Sequence, residues 1–233
     1  MDFRLAGSFS AGPNLPGPGG AGQVKIFPPE YCIMEFSLPM SAGLAAVLVI
    51  LLALWALRPG TGWSMSTHKM VRCALVAALY TALCLLLAPF SYGAIQVRVA
   101  EALCLLPIFG PEYILGVTLG CFLSNLLGSG LIDVVFGTSA TLLACLTTYR
   151  LRNFRFRGLA LLPALPPVIF NALIVGPEIA IFFSDTPATL PLMVWNGFTV
   201  AVGEVISCMV LGVFLVKVIE SNAGLGRIFR PQH

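Results

Sequence analysis

The residues that could do chemistry in this chain are polar side chains set inside apolar runs. Gln96, Arg98 and Glu101 stand together in the stretch FSYGAIQVRVAEA. Asn125 lies near the end of one apolar run and Asp133 near the start of the next; Asn171 and Glu178 share a third, and Asn196 and Glu204 a fourth. Charges in hydrocarbon are costly, so they report a ligand or a polar partner. A carboxylate accepts hydrogen bonds, an amide both donates and accepts, and a guanidinium only donates. Such a set can read the edge of a small polar molecule. It does not make a catalytic centre. The two histidines are His68 and His233, and there is no H-E-x-x-H, no G-x-S-x-G and no G-x-x-x-x-G-K-[ST] phosphate loop. Binding and translocation are expected rather than reaction, with no cofactor and no metal. The seven cysteines form no C-x-x-C pair, and most sit in apolar runs where cysteine behaves as a small hydrophobe.

Each polar residue also has a plain structural reading. Arg98 and Glu101 are three apart and can neutralise each other. Asp133 suits a helix N-terminus. Glu178 follows Gly176 and Pro177, which fits a helix interruption near the membrane interface. Asn171 and Asn196 can bridge helices for roughly 1 kcal/mol each. Phe90 and Tyr92 fit an interfacial aromatic belt, or a stack on a flat ligand. Glu204 resists a plain reading, because it is the single charge between residues 186 and 216.

Composition states what must position these groups. Of 233 residues, 58% are hydrophobic and 10% charged, with a mean hydropathy of +0.94. Soluble domains carry about 25% charged residues, so the lipid bilayer is the expected solvent. The net charge of +3 is small, and its basic residues stand at the ends of apolar runs, which excludes a nucleic-acid footprint. The fold class is all-α: a polytopic six-helix transmembrane bundle with an additional N-terminal apolar segment. Residues 1–37 read as a disordered tail, 38–57 as the extra apolar and possibly transmembrane segment, and 58–69 as a linker. Residues 70–219 form the six-helix membrane domain and 220–233 a tail in the cytoplasm. Within the core the runs are 70–88, 99–109, 112–128, 131–149, 158–183 and 190–216. Met65, in the linker, is a position where a core protein could begin. Lys69 and Arg72, the loop RLRNFRFR at 150–157, and Lys217, Arg227 and Arg230 all reach one side when the core starts in the cytoplasm. The expected place is the cell membrane, multi-pass, with both core termini cytoplasmic. The polar residues then gather mostly in the outer half, as a pocket reached from outside.

Ala74, Ala78 and Ala82 recur every four residues in the first core helix, with Ala77 widening that face. Small residues at this spacing let another helix approach closely. Gly116 and Gly120 form a second such pair, suited to packing inside the chain.

Four stretches carry a family resemblance: YGAIQVRVAEALCLLP at 92–107, GCFLSNLLGSG at 120–130, FNALIVGPEIA at 170–180 and VAVGEVISCMVLG at 200–212. Residues 70–219 resemble the substrate-binding membrane subunit of an energy-coupling factor (ECF) transporter, of the queuosine-precursor family. Residues 1–64 are not covered. The resemblance implies six helices, a deazaguanine-type ligand, and work with a transmembrane coupling subunit and two ATPases. It also makes the partner of Ala74, Ala78 and Ala82 an external one. Gln96, Arg98, Glu101, Asn125, Asn171, Glu178, Asn196 and Glu204 are the expected substrate contacts. The competing readings are a standalone secondary transporter or channel for a small polar solute, and a membrane assembly protein with no small ligand.

Overall fold

The structure is a computed structural model, and it describes residues 66–87, 97–184 and 187–229. The expected tail 1–37, the segment 38–57, and Phe90, Tyr92 and Gln96 lie outside the described residues.

The described chain is helical. Helix α1 is Thr67–Leu86, α2 is Val99–Ile108, α3 is Glu112–Gly128 and α4 is Leu131–Arg150. A short turn at Leu162–Ala164 leads into α5, Leu165–Phe182. Helix α6 runs over Leu190–Ser221, and α7 is Ala223–Phe229. Among the described residues, four helices are long and apolar enough to cross a membrane: α1, α4, Leu162–Phe182 and α6. Helices α2 and α3 are shorter apolar elements. The chain is an all-α, polytopic membrane protein.

Helix α2 is wound as a tight 3-10 helix and is buried from Ala100 to Ile108. It forms the centre of the core, with Tyr80 of α1, Tyr113 and Val117 of α3, and Cys208 and Val216 of α6 around it. Helix α1 is peripheral: 22% of its most apolar stretch is buried, against 56% for α4. Its outer face carries Val71, Leu75 and Leu79, all more than 45% exposed, which suits contact with lipid or another membrane helix.

Small residues set the closest helix crossings. A Cβ on Gly120 would lie 2.6 Å from the Cβ of Tyr80, and one on Gly116 would lie 2.9 Å from the Cys73 carbonyl oxygen. The expected internal packing of this pair is what brings α3 onto α1. Gly176 and Gly197 do the same for α5 and α6, because a Cβ on Gly176 would collide with the Gly197 backbone. The chain turns from α3 into α4 at Gly130, whose φ of 110° is a conformation that side chains disfavour.

Two local features differ from expectation. Helix α5 is continuous through Pro177, and Glu178 is buried inside it, so there is no interruption at this point. Proline removes a backbone donor, yet membrane helices tolerate it where neighbours and small backbone adjustments re-satisfy the freed carbonyl. Helix α6 widens to π-helical turns over Val205–Gly212, directly after Glu204. Such turns are rare and concentrate at functional sites.

Candidate functional site

The centre of the polar region is a small cavity of about 10 Å³ lined by Arg98, Asn171, Val175, Val200 and Glu204. Arg98 sits just before α2 in an extended conformation. Its side chain therefore leaves the helix sideways, toward the start of α4. There its Nη2 lies 3.6 Å from Asp133 Oδ2. Arg98 thus makes its ion pair with Asp133 and not with Glu101, despite their spacing. Asp133 does lie in the first turn of α4, where an acid suits the helix N-terminus, but it makes no capping hydrogen bond.

Glu101 turns the other way. Its Oε1 accepts the Tyr80 hydroxyl hydrogen at 2.5 Å, and its Oε2 accepts from Cys104 Sγ at 2.8 Å. Cys208 donates to Glu204 Oε2 at 3.3 Å. Glu101, Glu204 and Cys208 are all buried, with one ligand-type atom of each within 4.8 Å of the others.

Glu178 is the unusual member. It is 1% exposed, and neither carboxylate oxygen has a hydrogen-bond partner. Its carboxyl group faces that of Asp133 within hydrogen-bonding reach, a contact that needs a proton shared between the two acids, and Arg98 lies within electrostatic reach. Asn171, one of the cavity-lining residues, has a buried amide nitrogen that makes no well-formed hydrogen bond, with the Glu204 carboxylate as its neighbouring acceptor. An unsatisfied buried polar group costs about 1–3 kcal/mol, and more when charged. The fold thus keeps a carboxyl group and an amide donor under-satisfied beside the Arg98–Asp133 ion pair. A small molecule with matching donors and an acceptor would satisfy them.

Other expected residues do different jobs. Asn125 donates to the Asp133 carbonyl oxygen at 2.9 Å. Gly137 leaves room for it, since a Cβ there would lie 2.8 Å from Asn125 Nδ2. Asn125 therefore ties α3 to α4 and holds Asp133 in place. Asn196 is half-buried beside Gly197, at the α5–α6 crossing. Gln96 lies outside the described residues.

Ala74, Ala78 and Ala82 are all exposed. Ala77 is buried, and its carbonyl oxygen lies against Gly120. It belongs to the inner face and does not widen the outer one. Sequence reasoning missed Tyr80 and the ion pair of Arg72 with Glu112, which spans 3.5 Å. A lone tyrosine inside an apolar helix was the available signal, because a buried hydroxyl needs a partner.

An all-α polytopic membrane protein with polar groups buried between its helices is the class this arrangement defines. The model of the QueT transporter family matches residues 70–221, and the chain belongs to that family. Membership of a transporter family agrees with the reading of the chain as a protein that is not an enzyme. A curated relative, the queuosine precursor transporter QueT of Lactococcus lactis subsp. cremoris (strain MG1363), is 44% identical over 78 residues. That match covers 33% of this chain and 46% of the relative, so the two are aligned over about half the relative's length. No solved structure matches the chain.

Proposed function

We propose that this chain is the membrane substrate-binding subunit of an ATP-driven importer of the energy-coupling factor type. It captures a queuosine precursor of the deazaguanine type from outside and delivers it inward with a coupling subunit and two ATPases. The observation that carries the reading is the pair of under-satisfied polar groups, the Glu178 carboxylate and the Asn171 amide nitrogen, next to Arg98. A deazaguanine presents adjacent N–H donors and a carbonyl acceptor along one edge. The donors match the Glu178 carboxylate, and the acceptor matches Asn171 or Arg98. The relative's printed name supports the same ligand class.

In this reading residues 70–219 make the six-helix domain, with α2 and α3 as its shorter members. Both core ends are cytoplasmic, and residues 1–37, 38–57 and 58–69 form the tail, extra segment and linker. A cavity of about 10 Å³ is too small for a fused bicyclic base. Loading therefore requires α5 and α6 to move away from Arg98. The exposed face of Ala74, Ala78 and Ala82 receives the coupling subunit. Uptake of a labelled precursor by cells or vesicles tests the scheme. It should require the coupling subunit and ATP. Uptake by this chain alone would favour a secondary transporter or channel, and no saturable binding at all would favour an assembly protein.

A further inference from the structure

The loop after α4 forms a second built feature, at the opposite end of that helix from Asp133. Arg150, Arg152, Arg155 and Arg157 fall within eight residues, and residues 150–162 include no acid. The loop has a fixed shape. Phe156 and Leu159 exchange backbone hydrogen bonds of 3.0 and 2.9 Å. The two residues between them, Arg157 and Gly158, both have positive φ, 51° and 76°. That is the signature of a two-residue type I′ turn. Arginine rarely adopts it, so the surrounding fold holds it there.

Beside the turn lies a largely apolar groove of about 280 Å³, lined by Phe154, Phe156, Leu162, Leu165 and Met209, with Arg155 among them. Phe154 and Phe156 are about 60% exposed. Ile206 and Val210, on either side of Met209 along α6, are exposed as well and extend the apolar surface. Arg155 is paired with Glu220 at 2.8 Å, and Arg152 stacks on the Tyr149 ring at 4.1 Å and donates from Nη1 to the Tyr149 carbonyl oxygen at 3.2 Å. Among the described residues, Arg150, Arg152 and Arg157 have no ion pair. A loop that only sets membrane orientation needs positive charge, but neither a fixed turn nor a groove.

We propose that this groove is a binding site for an anionic phospholipid. One acyl chain lies along Phe156, Leu162 and Met209, and the phosphate is held at the rim by Arg157, whose guanidinium lies 5.8 Å from the centre of the groove-lining Phe156 ring, with Arg152 of the same loop turning from Tyr149 to join it. Charge complementarity favours an anionic lipid over a zwitterionic one, and the apolar lining favours a lipid over a free phosphate.

The test is thermal unfolding of the purified full chain in detergent. The additions are dioleoylphosphatidylglycerol, dioleoylphosphatidylcholine or the chain-free headgroup glycerophosphoglycerol. Phosphatidylglycerol should raise the midpoint at least twice as much as phosphatidylcholine, and the free headgroup should not raise it. The double variant Arg152→Gln/Arg157→Gln should erase the difference between the lipids. Leu162→Trp, which fills the groove, should do the same. If a variant fails to fold, native mass spectrometry of the wild type decides by the lipid it retains, and phosphatidylglycerol should outlast phosphatidylcholine. Equal responses to the two lipids would overturn the proposal. So would stabilisation by the headgroup alone, which would mean a free-anion site. A thiol label on Phe156→Cys that is blocked by a coupling protein, and not by phosphatidylglycerol, would assign the groove to a protein and also overturn it.

Discussion

Tyr80 of α1 donates its hydroxyl hydrogen to Glu101 Oε1 of α2 at 2.5 Å, with both side chains about 1% exposed. The bond locks the peripheral helix to the central one and fixes the rotamer of a buried acid. Tyr80→Phe keeps the ring and removes the donor. It should lower the stability of the purified chain by about 1–3 kcal/mol, the cost of leaving one side of a buried hydrogen bond unmade. An unchanged unfolding midpoint would mean that Cys104 alone satisfies Glu101.

Arg98 and Asp133 should behave as a coupled pair. Arg98→Gln or Asp133→Asn each strands a charge, at about 2 kcal/mol, below the range for fully buried pairs because Arg98 is partly exposed. Asp133→Asn keeps the backbone carbonyl that Asn125 uses, so the tie between α3 and α4 stays while the ion pair is removed. The double variant should recover at least about 1 kcal/mol of the summed loss. Strictly additive losses in a denaturation series would contradict the pairing.

The helices could be read from the sequence because their ends carry strong local signals. Gly110 and Pro111 precede α3, Gly130 follows it, and the expected run 112–128 coincides with Glu112–Gly128. Alternation of charge and apolar length separated α4 from α5 in the same way. The side-chain pairings were not legible, because they depend on tertiary geometry. The spacing of Arg98 and Glu101 points to mutual neutralisation, yet an extended residue before α2 sends the arginine to Asp133 instead. Glu178 looked like a helix-break residue because Pro177 precedes it. A packed membrane helix absorbs the proline, and the acid ends up buried. Ala77 and Ala78 are neighbours of identical type, and only the packing of Gly120 against Ala77 reveals which one faces inward.

That distinction makes a third prediction. Ala78→Leu adds bulk on the exposed face of α1, so the isolated chain should melt as the wild type does, while uptake by the assembled transporter falls at least tenfold. Ala77→Leu adds the same bulk against α3 and should destabilise the chain itself by about 1–3 kcal/mol through overpacking. Parallel melting and uptake assays separate the two. Equal effects of both substitutions on melting would remove the basis for an external partner on this face.

The most direct measurement is calorimetric titration of the purified chain with a deazaguanine precursor of queuosine, compared between wild type and Glu178→Gln. The account predicts saturable binding by the wild type and at least a tenfold loss in Glu178→Gln, with a melting temperature that is unchanged or higher. Removing an under-satisfied buried carboxylate relieves the free protein while it deletes a ligand acceptor. Unchanged affinity in Glu178→Gln, or no binding of any deazaguanine by the wild type, would contradict it.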